Sequence, residues 1–161
     1  MSKSIKIILV LIVLGVAGFF LAQRNFPTSD VGKLSTYQNE KYGFTLNLPE
    51  GATTTNVEDE EGETILVSKA AFDNFQMQIY IMPFDEDIVL TADRIKQDIP
   101  DIKMRDAREI KVGETKGVKF VDEDQNTKEI WFVRGGFLYQ VSSILKDEKI
   151  TEEIIKSWGW K

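Results

Sequence analysis

The chain of 161 residues contains no cysteine and no histidine. Without cysteine it can form no disulfide, no zinc–thiolate site, no thiol nucleophile and no cysteine-linked lipid anchor. Without histidine it lacks the side chain that most often moves protons near neutral pH, so Ser-His-Asp and Cys-His sites are excluded. Acid–base chemistry would have to use paired carboxylates or a Ser-Lys arrangement.

Charge is also absent from a long run near the N-terminus. Residues 7–22, IILVLIVLGVAGFFLA, include no charged or strongly polar side chain. Extended back to residue 5, the stretch would measure roughly 27 Å as a helix, close to a hydrocarbon core of about 30 Å. It has no polar face to suit a soluble helix. The sequence therefore predicts an N-terminal transmembrane anchor, residues 1–23, that enters the lipid bilayer through residues 5–22.

A cleaved signal peptide is the alternative for this segment. A cut after Ala22 would place Phe20 where a small residue is favoured, and the apolar run is longer than a usual signal core. We therefore favour an uncleaved, single-pass anchor. Lys3 and Lys6 precede the run and Arg24 follows it. The positive-inside rule then predicts a cytoplasmic N-terminus in the cell membrane and an extracytoplasmic C-terminal domain.

The rest of the chain divides into a short linker and an acidic domain. Residues 24–36 mix Pro, Ser, Thr, Gly and Asp without periodicity, which is typical of a linker. Residues 1–30 hold three of the 20 basic and one of the 26 acidic side chains, so the remainder has a net charge of −8. Such a domain repels nucleic-acid phosphates, so no nucleic-acid partner is expected.

Residues 37–161 read mostly as strands. Residues 43–49 alternate apolar and polar side chains, and Gly135-Gly136 suits a tight two-residue turn within the hairpin 128–145. Further strands are predicted at 64–70, 76–83, 107–113 and 115–123.

Within the first of these strands, a period of two places three apolar side chains on one face. Phe44, Leu46 and Leu48 are therefore expected in the core. Gly43, just before them, is expected to serve backbone geometry or a close approach of the chain.

Two short helices are predicted among the strands. Thr91 is the expected cap of ADRIKQDI, and Thr151 is the expected cap of EEIIKSW near the C-terminus. Ile154, Ile155 and Trp158 share one face of the second helix and should lie on the sheet. The elements together predict an α+β fold, a mainly antiparallel sheet flanked by helices.

Two stretches carry a family resemblance. YQNEKYGFTLNLPEGA, residues 37–52, resembles the opening of the PsbP-like fold, a Tyr-Gly-Phe followed by a strand that ends in Pro. EIWFVRGGFLYQVSS, residues 129–143, and the final SWGWK resemble its last hairpin, closing helix and aromatic edge. The resemblance implies a PsbP-like α/β/α sandwich over residues 37–161. That fold is shared by a photosystem II extrinsic protein, a Ran-binding import factor and anchored bacterial proteins, whose roles are unrelated.

Three acidic runs are the candidates for cation binding: residues 58–63, 83–88 and 122–126. The oxygens that the last run could offer come from Asp122, Glu123, Asp124 and Asn126. None of the runs has the spacing and central glycine of a dedicated calcium loop. We interpret all three as solvated turns and predict no metal site and no cofactor.

The large aromatic side chains of the C-terminal third could form a binding face for peptide or glycan, or could pack in the core. Core packing is the favoured interpretation. The side chains concerned are Trp131, Tyr139, Trp158 and Trp160. Arg134, beside the Gly-Gly turn, is expected to be exposed.

No residue is assigned to catalysis. Ser142, Ser143 and Ser157 lack the context of a nucleophile elbow, and no two carboxylates stand out as acid and base. A pocket with two carboxyl groups about 5 to 10 Å apart and a raised pKa would favour an enzyme.

The expected function is that of a membrane-anchored, extracytoplasmic binding or assembly module without catalytic activity. Its partner is expected to be another envelope protein. Two alternatives stay open: an envelope enzyme that uses paired carboxylates, such as a glycan hydrolase, and a purely structural tether.

Overall fold

The structure is a computed structural model that describes residues 33–69 and 75–161. The predicted anchor, residues 5–22, and most of the linker lie outside the described residues. Within those two ranges, no helix has both the length and the apolar character needed to cross a bilayer.

The described chain forms ten strands and two short helices. The strands are β1 Leu34–Asn39, β2 Phe44–Pro49, β3 Thr53–Glu58, β4 Glu63–Lys69, β5 Phe75–Pro83, β6 Met104–Val112, β7 Thr115–Asp122, β8 Thr127–Arg134, β9 Phe137–Ile144 and β10 Gly159–Trp160. The helices are α1 Ala92–Asp98 and α2 Glu148–Lys156, the second preceded by a 3-10 turn, Leu145–Asp147.

The strands build two antiparallel sheets. Seven strands form the large sheet in the order β3-β4-β5-β9-β8-β7-β6, and β1-β2-β10 form a small one. Every pairing in both sheets is antiparallel. β3 and β6 are therefore the edges of the large sheet.

Each face of the large sheet packs against a different layer. One face is covered by the small sheet and α2, and its core includes Phe44, Ile79 and Ile154. The opposite face is covered along part of its length by α1, with Ile95 and Trp131 in a second core. This arrangement confirms the predicted α+β fold with a mainly antiparallel sheet.

The predicted strands are confirmed with small shifts at their ends. The two-residue turn is confirmed as well, because Arg134 pairs with Phe137 and both intervening glycines have positive φ, +61° and +80°. Gly43 has a φ of +67°, and no atom beyond its two chain neighbours lies within 4 Å of where its Cβ would be. Backbone conformation, and not a close approach, therefore requires glycine there.

One helix cap is confirmed and the other is wrong. The Thr91 side chain accepts a hydrogen bond from the backbone N–H of Arg94, as a cap residue does. Thr151 does not cap a helix, because α2 already begins at Glu148 and Thr151 lies inside it, buried. The helix starts early because Glu148 reaches the buried Lys128 of the sheet, with 2.7 Å between the charged atoms.

Three strands were not predicted, the two-residue β10 and the longer β1 and β3. β1, LSTYQN, begins within the segment interpreted as a linker, and β3 reads TTTNVE. Both are edge strands whose residues are mostly exposed, so neither has a buried face that would impose an apolar–polar alternation.

Phe44 lies at the centre of an aromatic cluster that joins the two ends of the domain. Its ring is fully buried and stacks on Trp158, with ring centroids 4.6 Å apart. Tyr139 of the large sheet meets the Phe44 ring edge-on at 6.3 Å. The core position predicted for Phe44, Leu46 and Leu48 is confirmed, since all three are at least 97% buried.

We expect Phe44→Ala to lower the free energy of unfolding by about 3 to 5 kcal/mol, since it leaves a cavity beneath the small sheet. The control is Val89→Ala at a valine that is 54% exposed, where a change within about 0.5 kcal/mol is expected. Denaturant unfolding of a chain beginning at Lys33 measures both. Equal stabilities for the two variants would contradict the core position.

Candidate functional site

A shallow cleft of about 430 Å³ opens between the small sheet and the β3 edge of the large sheet. The end of β1 and the turn after it form one wall, and β3 with the start of β4 forms the other. The lining is almost entirely polar and consists of Tyr37, Gln38, Asn39, Glu40, Lys41, Asn56, Glu58 and Glu63.

Lys41 crosses the cleft and pairs with two carboxylates. Its Nζ bonds to Glu58 at the end of β3 and lies 2.9 Å from Oε2 of the buried Glu63. The Asn56 amide donates to the other oxygen of Glu63 at 2.7 Å. The hydrogen bond to Lys41 lowers the pKa of Glu58, and the same carboxylates raise the pKa of Lys41. The ion pair between Lys41 and Glu58 therefore favours the ionised form of both groups.

A second notable carboxyl group lies in the large sheet, away from the cleft. Glu129 of β8 is 95% buried and accepts hydrogen bonds from three side chains. Thr127 donates at 2.6 Å, Ser142 at 2.7 Å and the Trp131 indole at 2.9 Å. Burial raises the pKa of Glu129 to about 7, although the three donors act in the opposite direction.

An enzyme that uses paired carboxylates would need two nearby carboxyl groups in a pocket and a raised pKa. In this structure the two features occur in different places. Two neighbouring carboxylates, Glu58 and Glu63, face the cleft, but Lys41 lies between them and the pKa of Glu58 is lowered. The carboxyl group with a raised pKa, Glu129, is buried in the sheet and is not part of the cleft lining. The raised pKa therefore belongs to a carboxyl group outside the cleft.

The acidic runs 58–63 and 122–126 form turns in which an aspartate side chain accepts hydrogen bonds from backbone N–H groups of the same turn. Asp59 Oδ1 accepts from the backbone N–H groups of Glu61 and Gly62 at 2.8 and 2.9 Å. Asp122 Oδ1 accepts in the same way from the two residues at 124 and 125, at 2.9 and 3.1 Å. These carboxylates stabilise tight turns, as aspartates in such positions do.

The neighbouring carboxylates of these runs are engaged by cations. Asp124 pairs with Lys103 at 2.7 Å, and Glu123 pairs with Arg105 at 3.3 Å. In run 83–88, the Glu86 carboxylate accepts hydrogen bonds from both terminal nitrogens of Arg94, at 2.6 and 2.7 Å. Over the part of the chain that the structure describes, no group of three or more carboxylates is arranged to hold a metal ion.

The aromatic candidates pack in the interior, as favoured. Trp131, Tyr139 and Trp158 are all at least 96% buried. Trp160 is half-buried and packs against the same cluster. The expectation that Arg134 is exposed was wrong, because the residue is partly buried. Its guanidinium lies 4.5 Å over the Trp160 ring and donates to Thr115 at 3.1 Å.

The three serines are distributed among structural roles. Ser142 donates to Glu129, and Ser157 donates to the Ile154 carbonyl at 2.6 Å while accepting from the Asn47 N–H at 2.8 Å. Ser143 is buried on β9. Among the residues that the structure describes, no basic side chain hydrogen-bonds to any of the three.

Sequence reasoning missed both Glu129 and the Lys41 cluster. A signal for Glu129 existed, since it directly precedes the apolar run IWFV of β8, and a buried glutamate is rarely without partners. Lys41 gave none, because its partners Glu58 and Glu63 lie 17 and 22 residues away across a strand that had not been predicted.

No family model and no curated protein matches the chain. Solved structures do resemble it. The solution structure of cyanobacterial PsbP (CyanoP) from Synechocystis sp. PCC 6803 has a TM-score of 0.54 and covers 86% of this chain and 98% of its own, at 11% identity. A crystal structure from Bacteroides thetaiotaomicron has a TM-score of 0.52 and 18% identity, and it covers 78% of this chain. The match extends over 48% of that protein, about half its length.

The large antiparallel sheet, with α1 on one face and α2 with a small sheet on the other, defines an α+β sandwich. It is a PsbP-like fold, as the resemblance of residues 37–52 and 129–143 implied.

The raised pKa of Glu129 predicts a specific dependence of stability on pH. Its pKa is about 7 in the folded state against 4.5 as an ordinary glutamate, so folding favours the protonated form. This contribution is fully present below pH 4.5 and is lost as the pH rises through 7. It amounts to about 3 kcal/mol in unfolding free energy.

The variant Glu129→Gln has no carboxyl group to titrate at this position, so it is the reference for wild type. Denaturant unfolding from about pH 4.5 to 8 should show wild type losing roughly 3 kcal/mol relative to the variant. Parallel pH profiles for the two chains would contradict the assignment of a protonated, buried Glu129.

Proposed function

We propose that the chain is a membrane-anchored, extracytoplasmic binding or assembly module that engages another envelope protein and performs no catalysis. The uninterrupted apolar run over residues 5–22 supports the anchor. The PsbP-like fold supports a compact accessory domain, but fold alone assigns no partner.

The single observation that carries the proposal is the exposed edge strand β3. All six of its residues are exposed, and among the described residues no strand pairs with its outer side. Soluble proteins usually protect such edges, and unprotected ones pair with segments of other chains. The ion-paired state of the neighbouring cleft fits recognition better than acid–base chemistry.

Fractionation tests the anchor. The intact chain should stay in membranes after high-salt and alkaline washes, because apolar insertion worth about 4 to 8 kcal/mol is insensitive to ionic strength. Release of a shortened soluble form that begins near Gln23 would show a cleaved signal peptide instead.

Photo-crosslinking in intact membranes tests the binding role. A photoreactive residue at Thr55 of β3 should capture an envelope protein, whereas the same residue at Val89, which is also exposed to solvent but lies before α1, should not. Capture from both positions would indicate a non-specific surface. Capture from neither, with no co-purifying protein, would contradict a binding module.

A further inference from the structure

The two edges of the large sheet differ in how they are protected. β6 is interrupted between Arg105 and Arg108, and Asp106 there has a φ of +56°, which distorts the strand. β3 runs regularly opposite β4 over all six residues and contains no proline, no lysine and no bulge. A bulge and basic side chains therefore disrupt the β6 edge, whereas β3 has neither and carries a single charged residue, Glu58, at its end.

The register identifies the backbone groups that point out of β3. The Asp59 N–H donates to the Gly62 carbonyl at 3.0 Å, which makes that pair hydrogen-bonded. Since hydrogen-bonded and non-hydrogen-bonded pairs alternate in an antiparallel ladder, Thr54, Asn56 and Glu58 belong to non-hydrogen-bonded pairs with β4. Their N–H and C=O groups face away from the sheet, ready to bond an added strand.

The side chains beside this edge differ between its two faces. Asn56 and Glu58 line the acidic cleft on one face. Thr53, Thr55 and the 41% exposed Val57 lie on the other. An added strand would therefore meet polar and acidic groups at alternate positions, and threonine and valine at the positions between.

The charge at the end of β3 is strongly negative. Residues 58–63, EDEEGE, carry five carboxylates, and all of these except that of Glu63 belong to exposed residues. Lys41 already places an ammonium group between Glu58 and Glu63. The edge thus accommodates a lysine side chain supplied by this chain itself.

We propose that β3 recognises an extended segment of a partner protein, in which lysine or arginine alternates with threonine, valine or isoleucine, by antiparallel or parallel strand addition. The basic side chains lie over the acidic cleft, and the β-branched ones lie beside Val57. This rests on the proposed binding function and names the chemistry of its partner.

A second copy of the chain suits the same edge less well. Pairing two β3 strands would bring together two domains that each carry a net charge of −8, with an acidic turn at each end of the joint. A basic segment instead gains from the same field, and the gain is reduced by salt.

The test uses the full-length chain in a non-ionic detergent and a synthetic peptide of about eight residues in which lysine alternates with valine. Amide hydrogen exchange is the main readout. In the free chain the amides of Thr54, Asn56 and Glu58 should exchange rapidly, and the peptide should protect them. Those of Thr55 and Val57, already bonded to β4, should change little.

Two variants at one position separate strand addition from general attraction. Thr54→Pro removes an outward N–H, which edge strands tolerate, and should weaken peptide binding about tenfold. Thr54→Val loses the same hydroxyl but keeps the N–H, and should bind within about twofold of wild type.

A charge variant tests the basic partner. Glu60→Gln with Glu61→Gln should weaken binding about threefold and flatten its salt dependence. A matched peptide in which glutamate alternates with valine should not bind.

Three results would overturn the proposal: no saturable binding of the lysine peptide below about 1 mM, equal binding of the glutamate peptide, or a concentration-dependent dimer that Thr54→Pro abolishes without any peptide. If Thr54→Pro still captures the envelope partner in membranes, the binding function stands and the edge proposal fails. If wild type captures nothing while the peptide still protects the edge amides, the proposed function fails and the edge chemistry stands.

Discussion

The stacking of Phe44 on Trp158 is the contact on which the rest of the domain depends. It joins the second strand to the residue that follows the last helix, two parts of the chain separated by most of its length. Tyr139 and Phe132 of the large sheet pack against the same rings. Through this cluster the small sheet and α2 are held on one face of the large sheet, with Lys119 and Lys128 pairing to α2 at its margin.

Closing the domain in this way leaves one edge without cover. The small sheet reaches the large one above its middle strands, and across the cleft Lys41 pairs with Glu58 of β3 and Glu63 of β4. The Lys41–Glu58 pair is exposed on both sides, and because such pairs contribute little to stability it can be exchanged at small cost. Glu63 is buried and keeps its hydrogen bond from Asn56. The domain thus has an aromatic core around Phe44 and an acidic, ion-paired edge at β3. Binding is proposed at this edge.

The sequence predicted the elements whose pattern is local. The alternation of residues 43–49 and the cap at Thr91 sufficed for β2 and α1, because each pattern lies within one element. β3 was missed because a strand exposed on both faces shows no alternation of apolar and polar residues. The cap predicted at Thr151 was wrong because the tertiary pair of Glu148 with Lys128 starts the helix earlier. Lys41 was missed for a related reason, because Glu58 and Glu63 meet it only in the folded chain. For Glu129 only the Ser142 donor comes from another strand, whereas Thr127 and Trp131 lie two residues away in β8.

A double-mutant cycle between Phe44 and Trp158 tests the central claim most directly. Phe44→Leu, Trp158→Leu and the double variant are compared in denaturant unfolding. If the stacked pair joins the two ends of the domain, the two losses should be non-additive, with a coupling energy of about 1 kcal/mol or more. Losses that add within about 0.3 kcal/mol would show that the two rings stabilise the fold independently, and would contradict the account.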